Sequence, residues 1–275
     1  YYLPGPFPGW LLAVGLHLLV LSAVLSQGRG GGGEDSEASV SLRVLCASVV
    51  LVALLFRLVY LGYSEFQGDE GVVMERAAAA ILGDADQLFL HQKGPFEVLV
   101  PMATWALSGT INEWQARLPF SLAGVLGVVA VFLVGTRFLD RWVGLLGGLL
   151  LAINGYFVAF ARIVQYQSLV LMTVSLGLLA LWLWAERGRD RWLLAGSFLL
   201  ACGLLAHYDA ALALPAAFYV LVNRRGAEDA EGNKKNLSSL RSLRSLRLCG
   251  VFLLSLTLAL AVLALFYVPL ALIHI

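Results

Sequence analysis

Residues 118–139 read LPFSLAGVLGVVAVFLVGTRFL, an apolar stretch whose one charge, Arg137, stands near its end. A bilayer core takes about 20 helical residues to cross, and in lipid the backbone polar groups must be satisfied within the segment. The stretch therefore reads as a transmembrane helix. Working outward, similar apolar runs occupy residues 10–25, 42–62, 142–160, 167–185, 192–206, 210–222 and 251–270. The 275-residue chain is 60% hydrophobic and 13% charged. A soluble domain has about 45–50% and roughly 25%. Mean hydropathy is +0.82. These features predict an all-α polytopic membrane protein with about eight transmembrane helices. The net charge of +1 gives no sign of nucleic-acid binding. Cys46, Cys202 and Cys249 lie in or beside apolar runs and show neither a disulfide framework nor metal spacing.

The run at 10–25 and the stretch after it, SQGRGGGGEDSEAS at 26–39, form a first unit over residues 1–41: an extra span and a glycine-rich flexible linker. Residues 42–275 form the second unit, a membrane domain. Both ends read as cuts in a longer protein, and truncation is expected at the C-terminus. Between the spans at 42–62 and 118–139 lies the longest polar interval, residues 63–117. VVMERAAAAIL at 72–82 is rich in helix formers. A second helix is expected from Pro95, because proline suits a first helical position, with Pro101 as a kink. The interval is thus a two-helix loop.

Lysine and arginine collect on the cytoplasmic side of short loops. Arg137, Arg141, Arg187, Arg189, Arg191 and the basic segment at 224–247 therefore go inside. Alternation then places the 63–117 loop, residues 162–165 and 207–209 outside. The arginines of SLRSLRSLR at 239–247 suit anionic lipid headgroups.

The groups that can carry chemistry fall on that outer face. Asp69 and Glu70 are adjacent, so one can accept a proton while the other orients its partner or binds a cation. Two solvated loop acids would look the same. Lys93 stands just before the Pro95 helix, and with the helix's first amides it would make an anion site. It could equally anchor an interfacial helix. His91 lies beside it. Glu113 and Arg117 have the spacing of an intrahelical ion pair. Arg162 is an outer arginine, against the usual bias, and suits a lipid phosphate or the Asp69–Glu70 pair. Gln165, with Tyr166 and Gln167, adds polar edges suited to a sugar. His207 and Asp209 interrupt an apolar run, where ionisable residues are functional candidates. Arg57 lies inside a span and needs a partner.

In order, these pieces resemble a known family. An apolar span ends in the Asp69–Glu70 pair. A two-helix loop follows with a lysine–proline element, Lys93-Gly94-Pro95. Then come E-W-x-x-R-L-P at 113–119, R-x-x-Q at 162–165 and the His207-Tyr208-Asp209 turn. Residues 42–275 resemble the integral-membrane glycosyltransferases of the family 39 type, with the C-type fold: the protein O-mannosyltransferases and aminoarabinose transferases. The resemblance implies sugar transfer from a polyprenyl-phosphate carrier to an acceptor hydroxyl on the extracytoplasmic face of the plasma (inner) membrane. It implies an acceptor-orienting or base carboxylate at Asp69, paired with Glu70. It implies a carrier-phosphate contact at Lys93 and donor-site roles for Arg117 and Arg162. Some relatives use a divalent cation and others do not, so the resemblance leaves metal open. The acceptor stays unknown, and membrane lipids are the other expected partners. The family's usual Lys-Pro-Pro is Lys-Gly-Pro here, which is expected to loosen the turn. That change and the short chain suit an alternative, a non-catalytic membrane subunit that keeps the fold as scaffold in a larger complex. A transporter fits less well, because its ionisable residues would sit near the bilayer midplane.

Overall fold

The computed structural model describes residues 34–62, 67–88, 90–91, 93–231 and a few positions between 257 and 264. The expected span at 10–25, the arginines at 239–247, Cys249 and most of the expected span at 251–270 lie outside the described residues.

Among the described residues every regular element is helical. They are α1 (Glu34–Leu58), α2 (Gly68–Ile81), α3 (Pro95–Ser108), α4 (Glu113–Phe138), α5 (Arg141–Ile153), α6 (Gly155–Ala161), α7 (Tyr166–Arg187), α8 (Asp190–Ala206) and α9 (Leu214–Glu231). Short 3-10 turns at Ala85–Leu88 and Tyr208–Ala213 follow α2 and α8.

Local chemistry sets the helix boundaries. The Asn112 side chain accepts from the Gln115 amide at 2.9 Å, Asp140 from the Trp142 and Val143 amides at 2.7 and 3.0 Å, and Asn154 from Phe157 at 3.2 Å. These bonds satisfy amides that a helix start leaves unpaired. At the other ends, Gly109 and Gly188 take φ of 71° and 65°, the left-handed conformation that glycine adopts without strain.

Helix α4 is the centre of the bundle. It packs against α1, α3, α5 and α7, and α7 packs in turn against α8. It is apolar around its whole circumference, as a surrounded helix must be. Phe120, Val125, Val128, Ala130 and Phe132 are fully buried. Small residues allow the close crossing with α5: a methyl on Gly135 would sit 2.8 Å from the Gly144 Cα.

Two helices, Glu113–Phe138 and Tyr166–Arg187, are long and apolar enough to cross a membrane. The pair α5–α6 adds a third if read as one span bent by 63°. The described residues therefore bear out the all-helical class but not the count of about eight spans. The run at 142–160 is broken at Asn154, which caps α6. The run at 210–222 opens as a 3-10 turn and continues in α9 as far as Glu231. Over its described residues, from Glu34, the expected linker at 26–39 is helical. The expected helix at 72–82 starts earlier, at Gly68. The helix expected from Pro95 is α3, with Pro101 inside it.

Chain direction gives the bundle two distinct ends. At one, α4 and α7 finish and α5 and α8 begin; Arg137 Nη2 meets Glu186 Oε2 there at 2.5 Å. At the other, α1 finishes, α4 and α7 begin, and α2 and α3 gather. The candidate residues lie at this second end.

Candidate functional site

Helix α2 follows Gln67, whose backbone is extended. Successive residues on a helix are about 100° apart, so Asp69 and Glu70 point different ways. Glu70 turns inward and is fully buried. Its carboxylate takes a two-pronged contact from Arg117 of α4: Nε to Oε1 at 2.7 Å and Nη2 to Oε2 at 2.8 Å. The amide of Val164 donates to the same Oε1 at 3.0 Å. Arg117, also fully buried, reaches the Leu61 carbonyl at 3.4 Å. A buried charge needs both pairing and hydrogen bonds, and this pair has both. It ties together the chain after α1, α2, α4 and the connection into α7. The expected intrahelical partner of Arg117, Glu113, lost to Glu70, which meets the guanidinium with both oxygens.

Asp69 turns outward. Lys93 Nζ meets its Oδ2 at 2.5 Å, with the two side chains 34% and 61% exposed. The Lys93 ammonium holds the Asp69 carboxyl below its ordinary 3.8, with a smaller contribution from Gln165. Asp69 is therefore ionised at neutral pH. Gln165 is buried, and its Nε2 donates to Gln67 Oε1 at 3.3 Å. The two adjacent carboxylates thus face different partners: Asp69 faces out to a lysine, and Glu70 is enclosed with an arginine.

A second buried carboxylate lies alongside. Glu97, in the first turn of α3, is fully buried. Its Oε2 is 2.5 Å from His91 Nε2, and its Oε1 accepts from the Tyr166 amide at 2.6 Å. His91 Nδ1 is 3.4 Å from Arg76 Nη1. The Tyr166 ring stacks on His207, with centroids 3.7 Å apart and planes 7° from parallel. Lys93 Nζ lies 5.9 Å from the Tyr166 ring centre. The Asp209 amide donates to His207 Nδ1 at 3.1 Å. Burial pushes the His207 pKa below its ordinary 6.5, against the opposing pull of the Asp209 carboxylate, whose Oδ2 lies 3.1 Å from the same Nδ1. Asp209 itself is half exposed.

Gly94 explains the departure from Lys-Pro-Pro. A Cβ at this position would overlap the carbonyl oxygens of Leu205 and Ala206 at the end of α8. The turn is closely packed and not loosened, because the missing side chain is replaced by the neighbouring helix end.

The structure thus brings Asp69, Lys93, His91, Gln165, His207 and Asp209 together, with Glu70 and Arg117 as the buried layer beneath. Arg162 is placed otherwise. Its guanidinium donates to Phe56 and Val59 carbonyls at 3.0 and 2.7 Å and to Tyr60 at 2.9 Å. It closes the end of α1, where unpaired carbonyls favour a cation, and does not pair with Asp69 or Glu70. Arg57 does the same for α5, donating to Ala152 and Leu151 carbonyls at 2.9 and 3.2 Å.

Sequence reasoning gave Glu97, Arg76 and Gln67 no role of their own. The signal for Glu97 was an acid in the first turn of an otherwise apolar helix. Among the described residues no group of three or more His, Cys, Asp and Glu side chains could hold a metal ion.

No curated protein and no solved structure compared with the chain matches it. One family model does, over residues 92–270. The matched region contains Lys93, Arg117, Arg162, Gln165, His207 and Asp209, while Asp69, Glu70 and His91 precede it. The apolar helices and this match make the protein an integral-membrane protein of glycosyltransferase type. By that match the chain belongs to the dolichyl-phosphate-mannose-protein mannosyltransferase family.

Proposed function

We propose that this protein transfers a sugar from a polyprenyl-phosphate carrier to an acceptor hydroxyl on the extracytoplasmic side of the plasma (inner) membrane. The observation that carries the reading is the exposed Asp69–Lys93 pair, fixed from below by the buried Glu70–Arg117 pair. It offers an ionised carboxylate beside a cation at one end of a membrane bundle. The opposite end carries Arg137, Arg141, Arg187, Arg189 and Arg191, which supports an outward site by the positive-inside bias.

The acceptor hydroxyl attacks the anomeric carbon from the side opposite the phosphate. The new carbon–oxygen bond forms as the carbon–oxygen bond to phosphate breaks, with inversion at carbon. Asp69 takes the hydroxyl proton. Lys93 and the first amides of α3 stabilise the negative charge that grows on the departing lipid phosphate. Lys93 changes partner from Asp69 to the phosphate when the donor arrives. His207, Asp209, Gln165 and the Tyr166 ring line the same region and supply polar and flat surfaces for the sugar. Glu70 and Arg117 keep α2 in place and take no proton.

Dolichyl-phosphate mannose is the first donor to test, with the protein reconstituted in liposomes. Asp69→Asn abolishes transfer while the protein still binds dolichyl phosphate, and Lys93→Ala loses binding. Full transfer by Asp69→Asn would sink the assignment. The same assay run with EDTA reads whether a divalent cation takes part.

A further inference from the structure

We infer that Glu97, acting through His91, is the positioning residue of the lipid-phosphate site. It sets where Lys93 stands. This rests on the proposed donor site at Lys93 but concerns a different pair of side chains.

Hydrogen-bond roles set the tautomer of the neutral ring. Arginine can only donate, so Arg76 makes His91 Nδ1 an acceptor. The proton of a neutral ring then sits on Nε2 and is donated to Glu97. The second Glu97 oxygen is engaged by the Tyr166 amide. One fully buried carboxylate therefore joins α2, through Arg76 and His91, to α3 and the first residue of α7. Those elements carry the site: α2 bears Asp69, the segment from His91 to α3 bears Lys93, and α7 begins with the Tyr166 ring beneath Lys93.

His91 is only two residues from Lys93 and is itself buried. Its bond to Glu97 pins the segment that carries the lysine. Neither Glu97 nor His91 is hydrogen-bonded to the Lys93–Asp69 pair, and His91 is the smallest of the causes that lower the Asp69 carboxyl, so their main effect is on placement. Glu97→Gln breaks the device without changing size. Its amide nitrogen puts a donor against either the Tyr166 amide or the His91 N–H. His91→Ala breaks the other half. His91→Gln returns an N–H donor at the position of Nε2.

Lys93, Lys234 and Lys235 are the chain's lysines, so reductive methylation with ¹³C-formaldehyde yields a spectrum that Lys93→Arg assigns. In the unaltered protein the Lys93 methyl signal stands apart, displaced by the Tyr166 ring and Asp69. Glu97→Gln and His91→Ala move it toward the position of a free dimethyl-lysine, and His91→Gln restores most of the displacement. In parallel, the dissociation constant for dolichyl phosphate rises about tenfold in Glu97→Gln, as expected for one lost charge-assisted hydrogen bond. A Lys93 signal unmoved in both Glu97→Gln and His91→Ala overturns the inference. So does an equal shift in His91→Ala and His91→Gln. If the signal moves as described but the unaltered protein binds no dolichyl phosphate, the placement role stands and the donor reading fails.

Discussion

Replacing Arg117 by Met strands the Glu70 carboxylate inside the protein. Both partners are fully buried, and the contact uses both carboxylate oxygens at 2.7 and 2.8 Å. Removing one member of such a pair costs about 3–5 kcal/mol, because the remaining charge is uncompensated. Glu70→Met removes the counter-charge of Arg117, which keeps its contact with the Leu61 carbonyl, and the cost is of the same order. The double replacement removes both charges together. It loses the Val164 amide's acceptor, about 1–3 kcal/mol, but leaves no buried ion. The double variant is therefore expected to be more stable than either single variant, or close to the better one. Unfolding in mixed micelles, followed by tryptophan fluorescence, supplies the four corners of the cycle. Single costs below about 1 kcal/mol, the scale of an exposed ion pair, would refute the argument. Simple addition of the two single costs in the double variant would refute it equally.

Four further outcomes follow from the same geometry. In Lys93→Met the Asp69 carboxyl titrates higher, back toward its ordinary 3.8, because Lys93 is the main cause of its depression; carboxyl NMR reads this. The sign for stability is that of a lowered acid: the stabilisation from the ion pair is present above the unfolded value and is lost as pH falls through the folded one. Gly94→Ala forces Cβ against the Leu205 and Ala206 carbonyls, and Gly94→Pro does the same while demanding a different φ. Restoring the family's usual proline should thus lower the unfolding midpoint and activity, where a merely loosened turn would have gained from it. Arg162→Ala uncaps α1 and costs about 1–3 kcal/mol for its unpaired carbonyls, while dolichyl phosphate affinity stays unchanged; a lost affinity would return Arg162 to the donor site. Exchanging the two acids, Asp69→Glu with Glu70→Asp, shortens the buried carboxylate and should cost stability and transfer together. A swap that folds and transfers like the unaltered protein would mean the two acids are interchangeable.

Much of the helical framework was legible because its punctuation is local. The apolar runs at 118–139 and 167–185 mark α4 and α7, and Pro95 marks the start of α3. The kink at Asn154 did have a signal, the Asn154-Gly155 pair, which reading 142–160 as one apolar run passed over. What the local sequence does not show is the partner of the carbonyls freed at the bend: Arg57 of α1 donates to Leu151 and Ala152. Charge partners were the least legible feature. Glu113 and Arg117 have the right spacing on one helix, but Glu70 has the better geometry from 47 residues away. An exposed pair gains about 0.3–0.5 kcal/mol, whereas a buried arginine left unmatched costs several. The cost of an unmatched buried charge outweighs the gain of an exposed pair and so decides the pairing, and local spacing carries no information about it.

That ordering of magnitudes also explains why two adjacent acids end with different tasks. A loop would leave Asp69 and Glu70 free to exchange places. The helix begins at Gly68 and fixes them about 100° apart. One direction leads to Arg117 and the Val164 amide, and a carboxylate there is held by three hydrogen bonds. The other leads to water and Lys93. A buried, arginine-bound carboxylate is enclosed and out of reach of an incoming hydroxyl. An exposed carboxylate with a movable ammonium beside it keeps its charge and stays accessible. Its lysine can leave for a stronger anion. The division of labour therefore comes from the phase of one short helix, and that phase is held by a residue of α4.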